Sequence, residues 1–207
     1  MSTTSIGRLT ELAAVKEVLA AIGQAPLSTL DSTNPDVSII QETLKNVSRE
    51  VQAEGWHFNK EYNYEIQPDS NQNIVIPDNM LQIDLNTAKH GSKDVVRRDG
   101  KLYDKWKEPR TDAYKFEEKI YADIVWYFPW TDLPAPIQDY MVARTACLSS
   151  QRLIGDASLY QMCQQREQNA RANALEYDCN QGDYTYFGHP AGENYYISYK
   201  PYRALYR

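Results

Sequence analysis

The residue types that most often carry chemistry are sparse in this chain of 207 residues: three histidines, His57, His90 and His189, and three cysteines, Cys147, Cys163 and Cys179. No histidine has a second ligand type at metal-binding spacing, so no metal centre is expected. The cysteines are sixteen residues apart. On one continuous helix that step is a rotation of roughly 160°, which would point them apart. An odd number of cysteines without close spacing suits a reducing cytoplasm better than a disulfide framework.

Nucleophilic catalysis has no foothold either. The strand-turn-helix elbow G-x-S-x-G is missing, and the nine glycines are dispersed rather than gathered into a phosphate-cradling loop. No cofactor is expected. Carboxylates remain. Glu65, Asp84 and Asp123 fall on predicted strands, where two of them could face one groove as a glycoside hydrolase requires. Residues 56–132 hold fourteen Asp and Glu, however, so such a pairing arises by chance alone.

The run from Lys89 to Arg110 contains eight Lys and Arg. Arg97, Arg98 and Lys101 flank an Asp99-Gly100 turn, and they read either as a solvated hairpin guarding a sheet edge or as a rim facing phosphates or an acidic partner. Asp94, Asp99, Asp104 and Glu108 interleave with them and weaken the field. The whole chain leans acidic, 28 Asp and Glu against 22 Lys and Arg, which argues against a domain that reads nucleic-acid sequence through a basic stripe. No stretch approaches the roughly 18 apolar residues of a membrane span, and the N-terminus lacks a signal-peptide pattern. A soluble, unprocessed protein is the expectation.

The elements that must position these residues follow from periodicity. Leu12, Val15, Leu19 and Ile22 recur at steps of three and four and predict a helix from Thr10 to Ile22, stopped by Gly23. Asn34-Pro35-Asp36 supplies a capping side chain, a first-turn proline and an acid at the positive end of the helix dipole. Val37, Ile40, Leu44, Val47 and Val51 carry that second helix to Gly55. Tyr62, Tyr64 and Ile66 then alternate with polar residues, and so do residues 74–85 around Pro77-Asp78-Asn79, which predicts strands. Asp99-Gly100 between Val95–Arg98 and Lys101–Tyr103 is the strongest hairpin signal, and Ile120 to Tyr127 reads as a further strand. Helical rhythm returns at Leu133-Pro134-Ala135-Pro136, breaks at Gly155, and resumes behind Asp156 with QQREQN on the wet face of the last helix.

The expected fold class is α+β. Two N-terminal helices (residues 1–55) and two C-terminal helices (133–182) form one antiparallel bundle, because neither pair buries its apolar stripe alone. A mainly antiparallel β domain (56–132) is inserted between them. In EGWHFN, Trp56 and Phe58 sit two apart on what is expected to be a strand and point to one side, as the fixed joint between bundle and β domain. Residues 183–207 form an extended, tyrosine-rich tail with no period.

The segments LAAVKEVLAAIGQAPLSTLD, SREVQAEGWHFN and RRDGKLYD, followed by the Leu133-Pro134 helix start and an alanine-bearing last helix, resemble tail tubular protein A, the portal-to-tail adaptor or gatekeeper family of short-tailed bacteriophages (podoviruses). The resemblance covers about Leu9 to Asn180. Its most specific pieces are Ala21–Leu30, Gln52–Asn59 and Arg98–Asp104.

The resemblance implies a structural virion protein rather than an enzyme. It would form a ring of twelve beneath a dodecameric portal, pass its other face to the nozzle, tail tubular protein B, and let double-stranded DNA through its centre. Assembly would take place in the host cytoplasm, with no membrane insertion. An acid-leaning conduit holds a polyanion weakly, since each neutralised phosphate adds counterion-release affinity. The tail departs from the family's motifs; its aromatic residues, Tyr184, Tyr186, Phe187, Tyr195, Tyr196, Tyr199, Tyr202 and Tyr206, suit an anchor on the portal or on the adjacent subunit. The alternatives are a tail-borne hydrolase of cell-surface polysaccharide using paired β-domain carboxylates, and a monomeric binding module unrelated to virions.

Overall fold

The computed structural model describes residues 9–25, 29, 34–91 and 93–183. Thr10 caps α1 (Glu11–Ala21), its hydroxyl accepting from Ala13 N at 3.2 Å, and Gly23 beyond its end takes φ +77°. Asn34 Oδ1 accepts from Asp36 N at 3.0 Å at the start of α2 (Pro35–Ala53). The chain leaves α2 through Gly55, at φ +78°, where a Cβ would press on the Val125 side chain. Four residues, 56–59, follow before β1 (Lys60–Ile66) begins, the last three of them as a turn.

Strand β2 (Met80–Leu85) is followed by the one-turn helix α3 (Thr87–His90) and by the hairpin of β3 (Val95–Arg98) and β4 (Lys101–Asp104). Asp99 and Gly100 both have positive φ, 50° and 69°, as a tight two-residue turn demands. Strand β5 (Ile120–Trp126) is the centre of an antiparallel sheet in the order β1-β5-β2. Helix α4 (Ala135–Ser149) starts with Pro136 in its first turn and runs through a π turn, Ser150–Ile154, to Gly155. Asp156 then caps α5 (Ala157–Gly182), accepting from Ser158 N at 2.7 Å.

The fold is α+β. Apolar residues of α1 and α2 meet Val142 and Ala146 of α4 in one core, while Val47, Val51 and Trp56 meet Leu133, Ile137, Tyr140 and Met141 in a second. A third core lies within the β region, where Ile74, Ile76, Leu102 and Phe116 cover Ile120, Ala122 and Ile124. Helix α4 is the axis of the helical part: ten of its fifteen residues are buried. Helix α5 buries only Cys163, Ala174 and Gly182 of twenty-six, so it is an outer layer laid on α4.

Several expectations need correction. Tyr62, Tyr64 and Ile66 do not share a face, because four residues of β1 (Glu61 to Tyr64) lie opposite three of β5 (Ile124 to Ala122). This bulge, with Asn63 at φ +53°, resets the alternation. Ile74 and Ile76 are core residues outside any strand, flanking a single bridge from Val75 to Lys101. Trp56 and Phe58 lie on the turn that Lys60 N closes onto Trp56 O at 3.0 Å, not on a strand. Cys147 and Cys163 occupy two packed helices separated by Gly155, so the single-helix rotation does not apply across that break; both are buried and Cys179 is exposed.

Candidate assembly surfaces

The connection between helices and sheet is built mainly from buried amides. Gln52, in the last turn of α2, accepts from Phe128 N at 2.7 Å and donates to Phe128 O at 3.1 Å. Asn59 Nδ2 donates to both Gln52 O and Trp126 O at 2.8 Å, and Trp126 N returns a bond to Asn59 O at 2.8 Å. Around this clasp the Trp56 indole donates to Val51 O at 2.7 Å and packs on Tyr140, centroids 6.3 Å apart. Phe58 is half-buried against Phe128 at 6.3 Å. In the sequence Trp56 and Phe58 stand out as aromatics, whereas the amides look like ordinary polar residues beside the apolar rhythm of α2.

The basic residues of the hairpin are largely committed within the chain. Arg97 pairs with Asp78 at 2.9 Å, the Arg98 guanidinium lies 4.2 Å over the Tyr103 ring, and Lys101 is half-buried at its bridge with Val75. A cleft of about 400 Å3 is lined by Lys93, Lys107 and Lys115, by as many carboxylates, Glu117, Glu118 and buried Asp104, and by Trp106 and Phe116. Asp104 Oδ1 accepts from Trp106 N at 3.0 Å and Asp94 N at 3.4 Å, fixing the base of the tryptophan. The indole itself is 59% exposed. Nothing local in the sequence announces the exposure of Trp106.

The three strand carboxylates do not make a catalytic pair. Asp84 and Asp123 are cross-strand partners on an open sheet face, and Asp123 accepts from Asn63 N at 3.0 Å, supporting the bulge. Glu65 accepts from Lys119 Nζ and the Tyr121 hydroxyl, both at 3.0 Å. The Lys119 bond, with help from Gln67 and Tyr121, holds the Glu65 carboxyl below its ordinary range. A glycosidase's general acid needs the opposite shift. Among the described residues no three His, Cys, Asp or Glu side chains could hold a metal ion. His90 Nε2 accepts from Tyr121 N at 2.9 Å, and burial, then Lys93 and Lys89, lower its pKa. Burial pushes the Cys147 thiol up to about 11, with a hydrogen bond to Glu167 adding to it, so it is not a nucleophile at neutral pH.

The outward side of α5 is unusual for a solvated helix. It exposes Gln161, Gln164, Gln165, Gln168, Asn169 and Asn173, yet only Arg166 and Glu176 carry charge between Gln161 and Cys179 on that side, and Arg166 is engaged with Glu17. Met162 is 71% and Leu175 45% exposed. Charge depletion with exposed methionine is the composition of an interface core rather than of free surface. The tail tubular protein family model matches residues 12–184. The chain belongs to the tail tubular protein family. No match is found among curated proteins.

As a tail tubular protein it is a structural component of the phage tail and so of the virion. No helix among the described residues is long and apolar enough to cross a membrane. The aromatic tail residues, Tyr184, Tyr186, Phe187, Tyr195, Tyr196, Tyr199, Tyr202 and Tyr206, lie outside the described residues, and so does His189.

Proposed function

We propose that this tail tubular protein is of the A type, the adaptor ring that joins the portal to the tail nozzle, tail tubular protein B, and forms part of the DNA ejection conduit. Twelve copies, assembled in the host cytoplasm, dock beneath the portal as a gatekeeper through which double-stranded DNA passes. The protein is not an enzyme. The observation that carries this reading is the outward side of α5 between Gln161 and Cys179, a charge-poor surface about 28 Å long by the helical rise, which a chain of this family would leave open only for another subunit.

In this reading residues 1–55 and 133–182 form the bundle, residues 56–132 the β domain, and Trp56 and Phe58 belong to the rigid joint that keeps the two at a fixed angle. Arg97, Arg98 and Lys101 lie toward a partner rim. The tail, residues 183–207, anchors through its tyrosines on the portal or on the adjacent adaptor subunit. A formal charge of −6 supports weak, non-retentive contact with DNA. Replacing Met162 by Lys and, separately, deleting residues 183–207 test it: both variants should stay folded and fail to load onto purified portal rings. Loading unchanged by either would remove the reading.

A further inference from the structure

We infer that the outward side of α5 in one copy is covered by residues 195–199 (YYISY) of the next copy's tail, so that each subunit offers an arm and receives one. This contact rests on the ring reading and names the partner of the surface that carries it. A ring is closed by a heterologous contact, in which each copy offers one surface and receives a different one. Gln161, Gln165, Gln168, Ala172, Leu175 and Cys179 recur at alternating steps of four and three, so they face one way along α5. All six are exposed and none is charged. Met162, 71% exposed, flanks the first turn of this strip.

A strip without charge is selective about what covers it. The other long helix, α2, exposes Glu42, Lys45, Arg49 and Glu50, and laying that side on the strip would take charges out of water without partners. Residues 195–199 carry no charge. Their tyrosine rings offer large contact area to Leu175 and to the methylene stems of the glutamines at little cost in rotamer freedom, and the hydroxyls bond to the side-chain amides. Chain length also fits. Residues 184–207 lie outside the described residues and follow directly on the end of α5, where Asp183 takes a left-handed conformation, φ 45°. Twelve residues lead from Asp183 to Tyr195, a reach of about 40 Å at full extension. A folded body of this size is about 40 Å across, so the YYISY run can be delivered one subunit away. The ring reading selects the neighbour's helix, because a tail laid on its own α5 would close the surface through which the ring forms.

A photoreactive side chain at the middle of the strip, Gln168→benzoylphenylalanine, tests the contact in the full-length chain. Isotope-labelled and unlabelled copies are mixed in equal amounts, loaded on purified portal rings, irradiated and digested, and the crosslinked peptides are identified by mass. Position 168 should be joined to residues 195–199, in pairs that mix the two labels. Ala172→Arg, which keeps a good helix former at an exposed position, should abolish the crosslink and raise the concentration needed for half-loading by about tenfold. Tyr195→Ser, Tyr196→Ser and Tyr199→Ser combined in one chain should do the same from the other side. Loading of these two variants is read without the photoreactive group, so they carry the test if that group itself blocks loading.

Crosslinks to the portal, to another part of the neighbour or only within one chain, or wild-type loading by either variant, would overturn the contact, while wild-type rings left the ring itself standing. Wild-type protein that fails to load, or loads as single subunits, would remove the ring and this contact together.

Discussion

Gln52 and Phe128 exchange two hydrogen bonds, 2.7 and 3.1 Å, across 76 positions of sequence. The pair fastens the last turn of α2 to the strand exit that follows β5, and Asn59 bonds to the backbone on both sides of it. A part that transmits position from one ring to another needs this connection to be stiff. Buried amides whose N–H groups bond across the connection give that stiffness, because any rotation breaks those bonds in a dry environment.

Gln52→Leu fills similar space but strands the Phe128 N–H and carbonyl. A loss of about 1–3 kcal/mol is expected in a denaturant melt, with the midpoint falling and the slope unchanged. A neutral result would mean that solvent satisfies these groups and that the clasp adds no stiffness.

Trp56→Ala removes an indole that is only 3% exposed and is packed on Tyr140. The expected cost is about 3–5 kcal/mol. Phe58→Ala, at a half-buried ring, should cost clearly less. Equal effects would contradict the unequal burial of the two rings.

His90 accepts a backbone hydrogen bond through Nε2, which requires a neutral ring, and its folded pKa is lowered from 6.5. Between the lowered folded value and 6.5 the unfolded chain binds the extra proton, so stability is complete above about 6.5 and falls as pH drops toward the folded value. Melts from pH 7.5 to 5.5 should show this decline, and His90→Gln should flatten it. An unchanged slope in the variant would assign the decline to other groups.

The three thiols should separate by exposure. Cys179 should react with a maleimide in the native protein, whereas Cys147 and Cys163, buried between α4 and α5, should react only after unfolding. Fast native labelling of Cys147 would show that α5 opens from α4.

The parts of the fold legible in sequence are those decided within a few residues. Thr10, Asn34-Pro35-Asp36 and Asp156 announce helix starts through side chains that cap the next turn, and Asp99-Gly100 announces its hairpin through the φ angles it permits. What stayed hidden depends on distant partners. The β1 bulge is supported by Asp123, sixty positions away, and Ile74 and Ile76 are drawn into the core by the hairpin and Phe116 instead of joining the sheet. Gln52 and Asn59 look like ordinary polar residues until Trp126 and Phe128 stand opposite them. The assembly surfaces were the least legible, since Trp106 and the outward side of α5 are defined by what they do not touch in their own chain.

The account is tested most directly by the particle mass of the full-length protein measured with and without purified portal rings. It predicts that the portal gains twelve copies of the 23.9 kDa chain, and that deleting residues 183–207 prevents the gain. A portal peak of unchanged mass, or the same gain from the truncated chain, would contradict it.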